Sequence, residues 1–164
     1  MEKPVRREDL SISPRLAKIM INLSEVKEGE VLLDAFCGIG VIMIEALNMD
    51  IKATGIDKDS EAWEGARRNL EWFKFARENY KLIIGDSTKL KISPVSVMVS
   101  EPDFGSTLRK SPDRKEAEKM IKNFENLMID SLKNLKGNIS KDCTYSAFNS
   151  YRKWKSICRF NENL

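Results

Sequence analysis

The stretch Val31-Leu-Leu-Asp-Ala-Phe-Cys-Gly-Ile-Gly40-Val41, followed by Lys52-Ala-Thr-Gly-Ile-Asp57, decides the fold class. A short apolar run ends in small residues and glycines, and the segment from Val41 to Asn48 can then coil. This is the pattern of strand, glycine turn, helix. The second run, closed by Asp57, reads as the next strand. Asp59 or Ser60 can cap a further helix, on which Trp63, Ala66, Leu70 and Phe73 recur at helical spacing. The unit is βαβα.

The same punctuation continues on both sides. Ser13-Pro14 reads as an N-cap followed by proline at the first helical position, with Leu16, Ile19, Met20 and Leu23 on one face. Tyr80 to Ile84 and Val95 to Val99 read as strands, ending at Gly85-Asp86 and at Ser100-Glu101-Pro102. Ser111-Pro112 is expected to cap a long helix whose stripe runs through Met120, Ile121, Phe124, Leu127, Met128, Leu132 and Leu135. Alternating strands and helices predict an α/β fold, a mostly parallel sheet with helices on both faces and ligands at the carboxyl ends of the strands. Residues 1–29 read as a helical lead-in, 30–136 as the core and 137–164 as an irregular basic C-terminal segment. In that segment Cys143 to Phe148 is a candidate fifth strand, Asn149 to Leu164 has no clean period, and the C-terminal strands are expected to be incomplete.

Composition narrows the chemistry. The chain has 164 residues, 41% apolar and 32% charged, which suits one soluble domain. It contains no histidine, so a histidine base, a Ser-His-Asp triad and a histidine-ligated metal are all excluded. Cys37, Cys143 and Cys158 are odd in number and form no CxxC pair, against a disulfide framework or a zinc knuckle, and no metal site is expected. No apolar run is long enough to span a bilayer, and Met1 to Leu10 lacks the apolar centre of a secretory signal, so a cytoplasmic location is expected. Residues 1–136 balance 23 basic against 23 acidic side chains, while residues 137–164 hold five against two. A short basic end is a weak sign of nucleic-acid binding, because such a helix face is more often merely solvated.

The strand ends carry the candidate chemistry. Gly38 and Gly40 let backbone approach a ligand, a helix begins near Val41, and Asp57 follows Gly40 by seventeen residues at the end of the second strand. Such an acid accepts ribose hydroxyls, so the set suits a nucleoside-containing cofactor, although a tight turn alone also needs glycine. A dinucleotide fingerprint would place Gly or Ala where this chain has Met43, and Asp34 would repel a pyrophosphate. A carboxylate there welcomes an ammonium and a sulfonium, which points to S-adenosylmethionine. Asp86 can accept from the adenine amino group, with Ser87 beside it. At the fourth strand end, Glu101 and the Pro102 carbonyl can hold the N–H groups of an exocyclic amine, and Phe104 can stack on a base. The same Ser100-Glu-Pro-Asp-Phe-Gly105 run also reads as a plain strand stop.

Taken together, Leu10-Ser-Ile-Ser-Pro-Arg-Leu-Ala17, Asp34-Ala-Phe-Cys-Gly-Ile-Gly40, Glu45-Ala46, Gly55-Ile-Asp57, Gly85-Asp86 and Glu101-Pro-Asp-Phe-Gly105 resemble the catalytic domain of THUMP-associated tRNA guanine-N2 methyltransferases, especially the archaeal type. The resemblance covers roughly residues 6–136. It implies a Rossmann-like fold and S-adenosylmethionine as methyl donor. It carries the methionine and turn contacts onto Asp34, Phe36, Gly38 and Gly40, ribose onto Asp57, adenine onto Asp86, and the target amine onto Glu101 to Phe104. The family motif at the fourth strand is usually Asp-Pro-Pro-Tyr, where this chain has Glu-Pro-Asp-Phe. With about thirty residues ahead of the glycine turn, a THUMP region is not expected here. The resemblance therefore implies tRNA as substrate, gripped through a separate RNA-binding domain or subunit. An open sheet edge would also suit a homodimer or a partner protein. Two alternatives stay open: a catalytically degenerate cofactor-binding relative or subunit, and an amino-methyltransferase acting on DNA adenine or protein glutamine.

Overall fold

The computed structural model describes residues 4–5, 11–102 and 112–140, together with the backbone of 144–147 and 157–159. Helix α1, Pro14–Leu23, starts where the sequence places it: the Ser13 side chain accepts from the Leu16 N–H and proline occupies the first turn. Strand β1, Val31–Asp34, leads through the glycine turn into α2, Val41–Leu47, and then into β2, Lys52–Asp57. Helix α3, Ser60–Trp72, is capped by Asp59, whose side chain accepts from the Glu61 N–H. Strand β3 is Tyr80–Ile84 and β4 is Val97–Ser100. Helix α4 is Arg114–Leu135, and the strands β5, Thr144–Ala147, and β6, Ile157–Arg159, follow.

The six strands form one sheet in the order β3-β2-β1-β4-β5-β6, parallel except for β6. Successive strand residues face opposite sides, and the two cores follow from that alternation. Leu32, Ala53, Val97 and Val99 pack with α1, α2 and α3 on one face. Leu33, Ile56 and Met98 pack with Leu135 of α4 on the other. Every residue of α2 is buried, including Glu45, which meets Lys18 of α1 at 3.3 Å. A helix apolar on all sides needs cover on all sides, and α1 and the sheet provide it. Because β1 lies between β2 and β4, the connections leave it in opposite directions, and a crevice opens at its carboxyl end.

Three local readings need correction. Helix α4 is capped by Asp113 in a capping box with Glu116, two residues beyond the expected Ser111-Pro112 signal, and Ser111 lies outside the described residues. The fourth strand begins at Val97, while Val95 makes an isolated parallel bridge to Ile139. Strand β6 arises in a segment without any period, because pairing with β5 supplies its backbone partners and a short strand needs no pattern of its own. Among the described residues, no helix is long and apolar enough to cross a membrane.

Candidate cofactor and substrate site

The chain leaves β1 at Asp34, and the turn that follows is stitched to its neighbours by backbone groups. The Cys37 N–H donates to Ile56 O at 2.9 Å, the Gly38 N–H to Asp57 Oδ2 at 2.7 Å, and the Gly40 N–H to Cys37 O at 2.7 Å. From the far side, the fully buried Asn69 donates to Ile39 O at 3.0 Å. Gly38 and Gly40 have φ of +52° and +83°, the left-handed region where a side chain is strained. Strands β1 to β4 then each deliver an acid to the mouth of this turn.

Asp34 is buried, with 1% of its surface exposed. Its Oδ1 accepts from Ser100 Oγ at 2.6 Å and from the Phe36 N–H at 3.3 Å. Among the described residues no donor reaches Oδ2. Burial pushes the Asp34 carboxyl up to about 7. The bonds from Ser100 and Phe36 oppose that rise, and the negative charges of Asp57 and Glu101 add to it. Burial also pushes the Cys37 thiol well above its ordinary range, so it is a neutral packing group rather than a nucleophile.

Asp57 accepts from Gly38 through Oδ2 and from the Asp59 N–H through Oδ1 at 2.9 Å, so it organises the turn while keeping lone pairs for a ligand. Asp86 accepts from the backbone N–H and the hydroxyl of Thr88, at 2.9 and 2.7 Å, and these bonds hold its carboxyl below the usual range. The Ser87 hydroxyl pairs with Ser131 of α4 at 3.0 Å, so it serves the packing of that helix.

A cavity of about 320 Å³ opens at the carboxyl ends of β1 to β4, of the size that holds small ligands. The acids Asp34, Asp57, Asp86 and Glu101 all line it, with Phe36, Gly38 and Ser87. Gly40 does not: a Cβ there would sit 3.3 Å from the Ala66 Cβ, so its bareness serves the approach of α3 and the left-handed cap of α2. Pro102 is buried beside the cavity without lining it, and Phe104 lies outside the described residues. Ser11, Ile12, Lys58 and Leu127 also line the cavity. Ser11 and Ile12 fall inside the Leu10 to Ala17 run, and Leu127 inside the apolar stripe of α4, where it reads as core. Nothing in the spacing of Lys58 marks it. Among the described residues no group of three His, Cys, Asp or Glu side chains is placed to hold a metal ion.

A family model described as the RMKL-like methyltransferase domain matches residues 4–160. The chain is 36% identical over 115 residues to a tRNA (guanine(10)-N2)-dimethyltransferase of Methanothermobacter thermautotrophicus, covering 70% of this chain and 33% of that protein. It is 34% identical over 126 residues to the protein of the same name from Methanocaldococcus jannaschii, covering 72% and 35%. The chain thus spans about a third of the length of these curated relatives. Among solved structures it is similar to TrmN from Thermus thermophilus, with a TM-score of 0.67 at 17% identity, covering 83% of this chain and 38% of that one. It is also similar to an RNA methyltransferase from Salinibacter ruber in complex with S-adenosyl-L-homocysteine, with a TM-score of 0.59 at 19% identity, covering 84% and 76%. At these identities the structural likeness establishes the Rossmann-like fold.

Proposed function

Because the chain belongs to the RMKL-like methyltransferase domain family, we propose that it is the catalytic part of an S-adenosylmethionine-dependent methyltransferase acting on the N2 amine of guanine in tRNA. One observation carries the reading: four strand-end carboxylates line a single cavity, and one of them, Asp34, has an oxygen that no donor among the described residues reaches. A buried carboxylate with one free oxygen suits a cationic group, and the cavity size suits a nucleoside. The residues present therefore fit S-adenosylmethionine. When bound, it supplies an electrophilic methyl group on a sulfonium.

Each residue then has an assigned part. Asp34 Oδ2 receives the ammonium of the methionine portion, with Phe36 and Gly38 along its length. Asp57 accepts ribose hydroxyls and Asp86 the adenine amino group. Glu101 and the Pro102 carbonyl would accept the two N–H groups of the guanine amine and so orient its nitrogen, and the stacking role on the base is assigned to Phe104, which lies outside the described residues. The protein contributes position and field, with no covalent enzyme intermediate. The names of the curated relatives support tRNA as the substrate. The grip on tRNA is assigned to a separate RNA-binding domain or subunit, a homodimer or partner protein completes the assembly, and the location is cytoplasmic.

The decisive experiment measures labelled-methyl transfer to tRNA, with product nucleosides identified, for the wild-type chain and Glu101→Ala. The reading expects N2-methylguanosine from the wild type. The variant should bind the cofactor normally and lose transfer by ~100-fold or more, the cost of removing a transition-state acceptor. Unchanged transfer by Glu101→Ala would end the assignment. Glu101-Pro-Asp-Phe in place of Asp-Pro-Pro-Tyr favours one second reading, a cofactor-binding relative without activity. Cofactor binding by the wild type with no transfer, even at tRNA concentrations high enough to offset a separate RNA-binding domain left out of the assay, would select it.

A further inference from the structure

Ser100 ends β4, and none of its surface reaches solvent. Its hydroxyl sits between two groups of β1 and the turn after it. The Ala35 N–H donates to Ser100 Oγ at 2.7 Å, and Oγ donates to Asp34 Oδ1 at 2.6 Å. The first contact occupies the acceptor side of the oxygen, so its one proton is committed to Asp34. A separation of 2.6 Å is the length expected of a hydroxyl donating to an ionised carboxylate. A proton on Oδ1 would put two hydrogens between these two oxygens.

We propose that Ser100 is a positioning residue of the cofactor site: it selects the ionised form of Asp34, fixes Oδ1, and leaves Oδ2 as the oxygen that meets the cofactor's cationic group. This rests on the cofactor reading above. Glu101 is the next residue of the chain, so the same hydroxyl ties the cofactor-facing end of β1 to the strand that carries the target acid. That tie fixes two parts of the site relative to each other, which a reaction sensitive to ~1 Å requires.

The surroundings explain why the bond is needed. Among the described residues the charged groups around Asp34 are mostly of its own sign: Asp57 at the end of β2, Asp59 at the cap of α3, Asp86 after β3 and Glu101 after β4. Lys58 and Lys89 lie exposed near Asp86, and the buried Cys37 stays neutral. From α4, Leu127 brings no charge to the cavity. Burial and like charge both favour a protonated Asp34, and Ser100 is the strongest group opposing them.

The test uses the full chain without ligand. Asp34 Cγ is titrated by NMR in wild type, Ser100→Ala and Ser100→Thr. A hydrogen bond to a charged group of this kind is worth about one to two pH units, so Ser100→Ala should raise the Asp34 midpoint by that amount and Ser100→Thr should restore it. Calorimetry with S-adenosylmethionine should show Ser100→Ala weaker by roughly tenfold or more at pH 7, with the gap closing by pH 9 as Asp34 ionises. An unchanged midpoint in Ser100→Ala, or an affinity loss equally deep at every pH, overturns the proposal. If the wild-type chain bound no S-adenosylmethionine at any pH, the cofactor reading would fall. The Asp34 midpoint, which needs no ligand, would still decide the role of Ser100.

Discussion

Asp34→Asn should make the ligand-free protein more stable at pH 8 while destroying its cofactor site. The folded carboxyl titrates near 7 against an ordinary value of 3.8. Its folded state therefore holds a proton more tightly than the unfolded chain. That contribution to stability is complete below about pH 4 and is lost as pH rises through 7. A gap of about three pH units corresponds to ~4 kcal/mol, a ceiling that relaxation and cavity water reduce to roughly 2 to 4 kcal/mol. Asparagine is the same shape and keeps an oxygen to accept from Ser100 Oγ and the Phe36 N–H. It carries no charge at any pH. The assay is thermal unfolding of both proteins from pH 4 to 8. Near pH 4 the two should melt together. The wild type should then fall behind, to a deficit of roughly 4 to 16 °C at pH 8, at about 2 to 4 °C per kcal/mol for a chain of this size. Calorimetry should find no S-adenosylmethionine binding by the variant. Melting curves that stay parallel across pH 5 to 8, or a variant less stable at pH 8, would refute the account of Asp34 as a buried charge kept for a ligand.

Two further outcomes follow from the geometry. Gly40→Ala places a Cβ at φ +83° and 3.3 Å from the Ala66 Cβ, so it should cost about 1 to 3 kcal/mol in denaturant unfolding. Gly40 does not line the cavity, so cofactor affinity should hold at temperatures where the variant is folded; a selective loss of affinity with normal stability would contradict its assignment to packing. Asp113→Ala removes the oxygen that accepts from the Glu116 N–H, leaves the 113 backbone N–H to donate to Glu116 Oε2, and should cost about 1 kcal/mol. Hydrogen exchange should locate that cost in the first turn of α4, and protection there equal to wild type would show that the cap is idle.

Several parts of the candidate site are legible from the chain alone because the forces that place them are local. The Ser13-Pro14 cap, the glycine turn after Asp34 and the acids that end β2 and β3 each follow from patterns spanning a few residues. The capping signal of α4 was misplaced by two residues because Ser111-Pro112 and Asp113 both offer start chemistry, and the reciprocal bond from Glu116 decides between them. At Gly40 the sequence shows only that the turn lacks a side chain; the direction a Cβ would take depends on where α3 packs. The apolar spacing that puts Leu127 on the stripe of α4 does not reveal that it lines the cavity.

The sequence by itself determined that acids and glycines stand at successive strand ends, since alternation, caps and turns are properties of short segments. Only the tertiary structure decided which of those groups share a cavity and in what electrical state. Parallel pairing of β1 with β4 brings Ser100 to Asp34 across 66 residues of chain, and burial beneath the turn raises the Asp34 carboxyl toward neutrality. Desolvation and hydrogen-bond direction depend on what surrounds a group in space, and neighbours along the chain do not specify that.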